Sequence, residues 1–396
     1  MRLVKLAATA GCTYSRYADD LTFSTNKRDF PSEIAVRKAG AEHLWLPGKE
    51  LDTTIARAGF TINSSKTHLM YRRSRQVVTG LVVNKKINVR HEYRHTVRAM
   101  VNRLVTTGGF EVYGAVHVNG AMTMQKRPGT LNELHGMLGF IDGIHVYNRR
   151  HSRNASTGAP SAKELAYREF LMYTTFYAAK APVIVCEGDT DNVYLTHAIR
   201  SLVADFPALA SMKDNKVVLN VRIYKYPKSS TARLLDLKAG GTGSLQTFLA
   251  AYKKETARFS PQPTAPLIVI YDNDEGASAI RNVAKSSFKV TPAPTDQFTH
   301  LSKNLYLIAT PLPAGAVQSK IEDFFDAAIK ATVLDGKTFS AANHLDKEKE
   351  YGKMIFAHKV VRPQADKTDF SGFKPLLTNI VAAIQHFNAH LPKNPV

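Results

Sequence analysis

The feature that most limits the fold is a strand-like apolar run followed by a cluster of carboxylates, and it occurs twice in the chain. Residues 182–186 (PVIVC) are followed by EGDTD, and residues 266–271 (PLIVIY) are followed by DNDEG. Such runs are typical of strands buried in a parallel sheet. In α/β sheets, sites lie beyond the carboxyl ends of the strands. The pattern therefore predicts an α/β domain with an acidic site at one edge of its sheet.

The spacing of these carboxylates predicts that they converge. Glu187 ends the first strand, and Asp191 lies one turn into the helix that follows, facing back. Asp272 and Asp274 are two residues apart at one strand end, so we expect them to point to the same side. Four oxygen ligands of this kind suit one or two Mg²⁺ or Mn²⁺ ions.

Glu-Gly-x-x-Asp and Asp-x-Asp, on such strands and in this order, resemble the Toprim domain of topoisomerases, primases and overcoming-lysogenization-defect nucleases. The resemblance implies that Glu187 is a metal ligand or general base and that Asp191, Asp272 and Asp274 are metal ligands. No topoisomerase tyrosine module or primase zinc finger is recognisable in the sequence. We therefore expect hydrolysis of phosphodiester bonds, on RNA or DNA.

The nuclease branch of that family adds a later Glu and a later Lys. The candidates here are Glu322 as a metal ligand and Lys353, which would neutralise charge that builds on the scissile phosphate. Asp323 and Lys359 are the alternatives at these two positions.

A second acidic motif lies near the N-terminus, where residues 14–23 read YSRYADDLTF. Neighbouring strand residues face opposite sides, so Asp19 and Asp20 act together only at a turn, and we expect a β-hairpin tip. The string resembles the YADD box of reverse transcriptases, and its flanks are similar to the bacterial retron branch, which makes msDNA. The resemblance implies that Asp19 holds a catalytic Mg²⁺ and that Asp20 supports it.

Polymerases of this family need a further Asp on an earlier palm strand. None of the 18 residues before Asp19 is acidic. We therefore expect the chain to be the C-terminal part of a longer polymerase or a truncated reading frame, and we do not expect it to polymerise alone.

Two more segments extend the resemblance. Gly59, Asn63 and Lys66 match a Gly-x-x-x-Asn-x-x-Lys string that closes the palm, which implies that Lys66 lies near the incoming triphosphate; a solvated loop lysine is the alternative. Thr79 and Gly80 interrupt a β-branched run, which by itself predicts a buried strand with a bulge. The same residues match the Val-Thr-Gly element linked to recognition of the retron's own RNA.

The net charge of +20 indicates a polyanionic partner. Residues 1–160 contain 24 Lys and Arg against 11 Asp and Glu. A basic helix is predicted over 89–105, with most of its arginines on one face, which suits contact with a phosphate backbone. A merely solvated basic face is the alternative. The nucleic-acid-binding arginines are predicted to be Arg90, Arg94, Arg98 and Arg103.

The predicted fold class is a multidomain α/β and α+β protein. We expect a partial right-hand palm over 1–84, a helical thumb and RNA-binding region over 85–147, a linker over 148–161, and a Toprim domain with a mostly parallel sheet over 162–396. Within the first of these, 31–45 is predicted to be a turn and a polar helix, and 47–59 a second helix.

The function implied by both resemblances is a retron reverse transcriptase fused to a metal-dependent nuclease effector in antiphage defence. Its partners are then the retron non-coding RNA and msDNA, in a ribonucleoprotein that could be a homo-oligomer. We expect no membrane span, because no run of about 18 apolar residues occurs. We expect a cytoplasmic location, because Cys12 and Cys186 form no CxxC motif and are typical of buried free thiols in a reducing compartment. The alternatives are a non-catalytic fragment that only binds RNA and, more plainly, a fragment that does not fold.

Overall fold

The computed structural model describes residues 2–118, 121–151, 160–226, 230–237, 240–342 and 344–391. The chain packs as two compact units, Met1–Val97 with Met137–Gly158, and Arg98–Gly136 with Ala159–Val396. The expected linker over 148–161 lies in part outside the described residues. In the described part of the chain, no helix is both long and apolar enough to cross a membrane.

The first unit begins with two hairpins between two short helices. Its elements are α1 (Arg2–Ala10), β1 (Thr13–Tyr17), β2 (Asp20–Ser24), β3 (Ala35–Lys38), β4 (Ala41–Pro47) and α2 (Lys49–Ala56). A small core forms where Ala10, Ile34, Leu51 and Ile55 are buried together.

The helix predicted over 31–45 is wrong, because that segment forms the antiparallel pair β3–β4. Gly40, with a φ of +76°, lies in the turn between the two strands, and Val36 pairs with Leu46 across the ladder. The Arg37 guanidinium lies 5.5 Å from the centroid of the Trp45 ring, which adds a cross-strand cation–π contact. The helix predicted over 47–59 is confirmed by α2, after which Gly59 has a φ of +79°.

The next part of the chain forms a three-stranded meander, two long helices and a long hairpin. These are β5 (Val77–Val78), β6 (Leu81–Val82), β7 (Asn88–Val89), α3 (His91–Thr107), β8 (Glu111–Val118), β9 (Ala121–Pro128) and α4 (Leu131–Arg150). Thr79 and Gly80 have φ values of +46° and +82°, so they form the tight turn between β5 and β6. The predicted bulge within one strand is therefore wrong, and the segment is a hairpin.

The second unit contains a five-stranded sheet flanked by helices. Its elements from residue 162 onward are α5 (Ala162–Met172), β10 (Val183–Cys186), α6 (Asp189–Ser201), β11 (Ala210–Lys213), β12 (Lys216–Leu219), β13 (Arg222–Ile223), α7 (Ser230–Leu235), α8 (Thr242–Thr256), β14 (Leu267–Tyr271), α9 (Ala277–Val283), β15 (Thr299–Ser302), β16 (Leu305–Ala309), α10 (Ala327–Lys330), β17 (Thr338–Phe339), β18 (Glu350–Tyr351), α11 (Lys353–Ile355) and α12 (Lys374–His390). Short π-helical turns follow α5, α9 and α11.

The order of strands in this sheet is β13-β10-β14-β16-β15. The first four are parallel, and β15 is antiparallel to β16. All residues of β10, β14 and β16 are buried, as expected for strands covered on both faces. Helix α12 packs into the core of this unit through Leu376, Leu377 and Ile380. The prediction of a mixed α/β multidomain protein is confirmed.

Replacing Thr79 by Asn should stabilise the first unit by about 1 kcal/mol, because Asn tolerates a left-handed backbone better than a β-branched residue does. The only tryptophan, Trp45, lies in this unit, so its fluorescence during urea unfolding reports the change. Thr96→Asn, at an exposed position of α3 where the two residues have similar helix propensity, is the control. An unchanged midpoint for Thr79→Asn would show that the turn is not strained.

Candidate active site

The parallel pairing of β10 with β14 places two acidic residues side by side. Cys186, the last residue of β10, is the Cα partner of Ile270 near the end of β14. Glu187 and Asp272 therefore leave the sheet at the same edge. The Asp272 backbone N–H donates to Glu187 Oε2 over 3.1 Å, and the Thr242 hydroxyl donates to Glu187 Oε1 over 2.6 Å. Two segments thus fix the orientation of the Glu187 carboxylate.

Asp191 lies in the first turn of α6 and faces back toward the strand end. Its Oδ2 accepts a hydrogen bond from the backbone N–H of Gly188 over 2.7 Å, and its side chain is buried. A Cβ built on Gly188 would lie 3.0 Å from Asp191 Oδ1, so a side chain there would press against the carboxylate. The glycine of the Glu-Gly-x-x-Asp string gives Asp191 this room.

Glu322 and Lys353 are brought to the same place by later segments. The 3-10 turn Ile321–Phe324 begins with an N–H that donates to Asp272 Oδ1 over 3.1 Å. Glu322, only 2% exposed, accepts from Lys353 Nζ through Oε2 over 3.0 Å. Its other oxygen, Oε1, is buried and has no hydrogen-bond partner among the described residues. We refer to Glu187, Asp191, Asp272, Glu322 and Lys353 as the acidic centre.

Burial and neighbouring negative charge raise the pKa values of two carboxyl groups of the acidic centre, those of Asp272 and Asp191. Burial, followed by the charges of Asp191 and Glu322, raises the pKa of Asp272 from 3.8 to about 8. Burial and then Glu322 raise the pKa of Asp191 to about 6. Burial alone would lower the pKa of Lys353, but the carboxylates of Glu322, Asp272 and Asp191 raise it above its ordinary value. One ammonium group is thus set against four carboxyl groups.

Asp274 does not follow the expected geometry. Strand β14 ends at Tyr271, so the alternation of strand residues does not extend to 272–274. Asp274 Oδ1 accepts from the Gly276 N–H over 2.8 Å, and its Oδ2 lies 3.6 Å from Lys320 Nζ. Asp274 therefore pairs with a lysine that the sequence analysis did not identify.

Among the residues that the structure describes, no group of three or more His, Cys, Asp or Glu side chains is positioned to bind one metal ion. The contacts explain why. Backbone N–H groups orient Asp191 and Asp272, and the Lys353 ammonium is bonded to Glu322. Binding of an ion would require these carboxylates to turn toward it.

The alternatives Asp323 and Lys359 lie outside the acidic centre. Asp323 Oδ2 accepts from the Lys320 N–H over 2.8 Å and so caps the 3-10 turn. Lys359 is exposed in the π-helical turn after α11. Of each pair of candidates, the structure brings Glu322 and Lys353 to the other carboxylates.

The sequence analysis did not identify the segment Gly240–Thr242, which contacts the backbone and the side chain of Glu187. Gly240 has a φ of +75°, and a Cβ there would lie 2.4 Å from the Glu187 carbonyl oxygen. The Gly241 N–H donates to that oxygen over 2.7 Å, and α8 then begins at Thr242. The sequence GGTGS at 240–244 could cradle a phosphate, but it lacks the lysine and the spacing of a P-loop and so predicts a turn before a helix. Two consecutive glycines before a hydroxyl residue were the signal of a close backbone approach.

The N-terminal motif forms the predicted hairpin. Tyr17 pairs with Asp20, and Ala18 and Asp19 make the two-residue turn, in which Ala18 has a φ of +49°. Asp19 and Asp20 are both exposed. Lys66 is exposed in a turn in which Asn63 Oδ1 accepts from the N–H of Ser65 over 3.1 Å.

Most of the four predicted arginines lie on one side of α3, but that side overlaps the buried side of the helix. The buried side of this helix contains Val97, Val101 and Leu104. Arg94 turns partly toward that side, and its Nε is buried without a hydrogen-bond partner among the described residues. At about 100° per residue, Arg103 lies about 140° around the helix from Arg98.

The exposed members of the set are Arg90, Arg98 and Arg103, and Arg90 precedes the first residue of the helix. A spacing of four residues drifts around an α-helix, and the last spacing is five, so the four side chains spread over more than one face. Thr79 and Gly80 are also exposed, at the tip of the β5–β6 hairpin.

Comparison with known proteins links part of the chain to retron enzymes. It is 34% identical over 125 residues to the retron Mx65 reverse transcriptase of Myxococcus xanthus, a match that covers 32% of this chain and 26% of that protein. It is 32% identical over 140 residues to the retron Mx162 reverse transcriptase of the same organism, covering 35% and 26%. The matches thus span about a quarter of the length of these relatives. No family model matches the chain. No solved structure matches it either.

Because the pKa of Asp272 is raised, we expect Asp272→Asn to stabilise the metal-free protein against unfolding, by an amount that depends on pH. Between pH 4 and pH 8 the folded state holds this proton more tightly than the unfolded state, so stability of the wild type falls as pH rises. The variant lacks this loss. Unfolding by urea in chelator should therefore show a stability advantage of the variant that grows by roughly 3–4 kcal/mol between pH 5 and pH 8.

Asp366→Asn is the control, because Asp366 is an exposed carboxylate of the same unit. Its difference from wild type should stay constant with pH. A constant difference for Asp272→Asn as well would contradict the repulsion described for the acidic centre.

Proposed function

We propose that the acidic centre is a Toprim-like, metal-dependent phosphodiesterase site that cleaves RNA or DNA. The observation that carries this proposal is the convergence of four carboxyl groups and one lysine beyond the carboxyl ends of two paired parallel strands. Polar groups of such sheets assemble into sites at this edge. Strongly raised pKa values are frequent where carboxyl groups have a catalytic or ligand-binding task.

The residues present fit a divalent cation. All the donors are carboxylate oxygens, which Mg²⁺ and Mn²⁺ prefer. The unpartnered Glu322 Oε1 is a buried acceptor that a cation would satisfy, and the excess negative charge favours one. When bound, such a metal stabilises charge on the phosphate and lowers the pKa of water.

Each residue then has a task of its own. Asp191, Asp272 and Glu322 would hold the cation, with Asp274 at the edge of the site. Glu187, fixed by the Thr242 hydroxyl and the Asp272 N–H, would be a ligand or accept a proton from the attacking water. Lys353 would leave Glu322 and neutralise charge that builds on the phosphate.

We propose for the first unit a role derived from retron reverse transcriptases, supported by the partial similarity and the Asp19–Asp20 hairpin. Its partners would be a retron non-coding RNA and msDNA, and in a complete polymerase site Asp19, Asp20 and Lys66 would serve nucleotide addition with Mg²⁺. The whole would act as a nuclease effector in antiphage defence.

The alternative is that the N-terminal part of the chain, up to the end of α3, only binds RNA. It is favoured by the exposure of Arg90, Arg98 and Arg103 and of the Thr79–Gly80 turn.

The nuclease proposal predicts that the wild type cleaves end-labelled RNA or DNA with Mg²⁺ or Mn²⁺ and that Asp272→Asn lowers the rate by at least about 100-fold. Asp189→Asn is the matched control, since Asp189 begins the same helix as Asp191 but is exposed. Separate RNA and DNA substrates identify the preferred one. Cleavage that persists in Asp272→Asn or in chelator would refute the site.

The binding role predicts that RNA affinity falls steeply with salt and that Arg98→Gln/Arg103→Gln reduces the slope of log Kd against log salt concentration by about 1.4. Filter binding at several salt concentrations measures this slope. Lys347→Gln/Lys367→Gln removes two exposed charges elsewhere and should leave it unchanged. If the arginine variant kept the wild-type slope, α3 would not contact the phosphates.

A further inference from the structure

Helices α8 and α9 both begin beside the acidic centre. Thr242, the first residue of α8, donates to Glu187. Gly276 precedes α9, and a Cβ built on it would lie 3.0 Å from Thr242 Oγ1 and 3.1 Å from Asp274 Oδ1. Because the two helices start in contact with each other and with these carboxylates, the groove between them opens next to the acidic centre.

This groove, which we call the α8–α9 groove, has a volume of about 750 Å³. Its near end is one helical turn from the contact of Thr242 with Gly276, at Gln246 and Ala279. Its polar lining residues are Gln246, Asn282, Lys285, Ser286, Lys289 and Thr291. A groove of this size accommodates a ligand about as large as a drug molecule, which excludes a nucleic-acid duplex.

The charge of the groove is positive. None of its lining residues is acidic, and both Lys285 and Lys289 are exposed. In the described ranges neither lysine takes part in an ion pair. The two ammonium groups are therefore available to an anion, at the far end of a groove whose near end adjoins a cluster of carboxylates.

The backbone at the far end has an uncommon conformation. After α9 the chain forms a π-helical turn, Ala284–Phe288, and then Lys289 adopts a φ of +62°. Left-handed backbone is unfavourable for a long side chain, where Gly or Asn is usual. Phe288 is buried, and Lys253 of α8 lies over its ring at 5.3 Å. The packing of Phe288 thus holds the π-helical turn and the left-handed residue that follows it. Both kinds of backbone feature are frequent at functional sites.

We propose that the α8–α9 groove binds a single nucleic-acid strand that leads away from the acidic centre, with its phosphates at Lys285 and Lys289. This rests on the proposed phosphodiesterase function of the acidic centre. From Ala277 to Phe288 the helix advances about 17 Å. At about 3.4 Å per nucleotide along a stacked strand, Lys289 contacts a phosphate about five nucleotides from the one that is cleaved.

Crosslinking tests the groove without cleavage, in chelator. Ser286→Cys places a thiol in the groove, and Ser278→Cys places one at an exposed position of α9 outside its lining. Both variants carry Cys12→Ser, so that the other cysteine is the buried Cys186. The probe is a single strand of about twelve nucleotides with a bromoacetamide on one internal nucleotide, made as RNA and as DNA.

Each rate of alkylation by the probe is divided by the rate with free bromoacetamide, which corrects for the reactivity of the thiol. We expect the corrected rate to be several-fold higher for Ser286→Cys than for Ser278→Cys. Lys285→Gln/Lys289→Gln should remove this excess, whereas Lys213→Gln/Lys216→Gln, two exposed lysines of the β11–β12 hairpin, should not. The RNA and DNA probes show which strand the groove prefers.

Equal rates at the two positions, or an excess that survives loss of both groove lysines, would overturn the proposal. A duplex probe that reacts as fast as the single strand would also overturn it. Failure of the catalytic proposal is distinguishable. If the strand crosslinks in the groove but the protein has no nuclease activity, the groove proposal stands and the phosphodiesterase proposal is refuted. If the protein cleaves nucleic acid but no strand crosslinks in the groove, the phosphodiesterase proposal stands and the groove proposal is refuted.

Discussion

The hydrogen-bonded pairing of β10 with β14 is the constraint on which the acidic centre depends. It joins two fully buried strands, so that the chain leaves the sheet twice at the same edge with an acidic residue each time. Each fully buried aliphatic side chain of these strands contributes about 1.5–3 kcal/mol to folding. That apolar burial offsets the unfavourable burial of Asp191, Asp272 and Glu322, whose charges repel one another.

The remaining elements of the second unit act on this edge from several directions. The Gly240–Gly241 backbone and the Thr242 hydroxyl fix Glu187. The 3-10 turn after β16 brings Glu322 and holds Asp272 through the Ile321 N–H, and α11 brings Lys353. These segments are far apart in sequence, and each contacts a different part of the acidic centre. In this arrangement the Lys353 ammonium balances only part of the negative charge of the four carboxyl groups. This excess negative charge is the physical basis for proposing a cation there.

The sequence predicted what depends on local pattern. The two strands, the helix after Glu187, the N-terminal hairpin and α2 all have short-range signals, namely continuous apolar runs, a tight turn, or Pro-first and Gly-after ends. The segment 31–45 was mispredicted because its polar, alanine-containing composition outweighed Gly40, which lies in the turn between the two strands. Asp274 was misplaced because strand geometry was extended past Tyr271, where the strand has ended. For the arginines of α3, the spacing in sequence did not show that Arg94 turns toward the buried side of the helix.

Other features could not be read from the sequence at all. Glu322 could be chosen over Asp323, and Lys353 over Lys359, only once the fold placed one of each pair beside Asp272. The contact of Thr242 with Glu187 and the α8–α9 groove were not predicted either, because both form only where distant segments meet. Such contacts are long-range in sequence and leave no local periodicity.

The most direct test of the account is whether the acidic centre binds a divalent cation. Isothermal titration calorimetry with Mn²⁺ at pH 8 would compare two proteins, both carrying Asp19→Asn/Asp20→Asn to remove the hairpin carboxylates, one of them also carrying Glu322→Gln. The account predicts saturable Mn²⁺ binding that Glu322→Gln abolishes or weakens many-fold. Binding that Glu322→Gln leaves unchanged, or no saturable binding by the first protein, would contradict it.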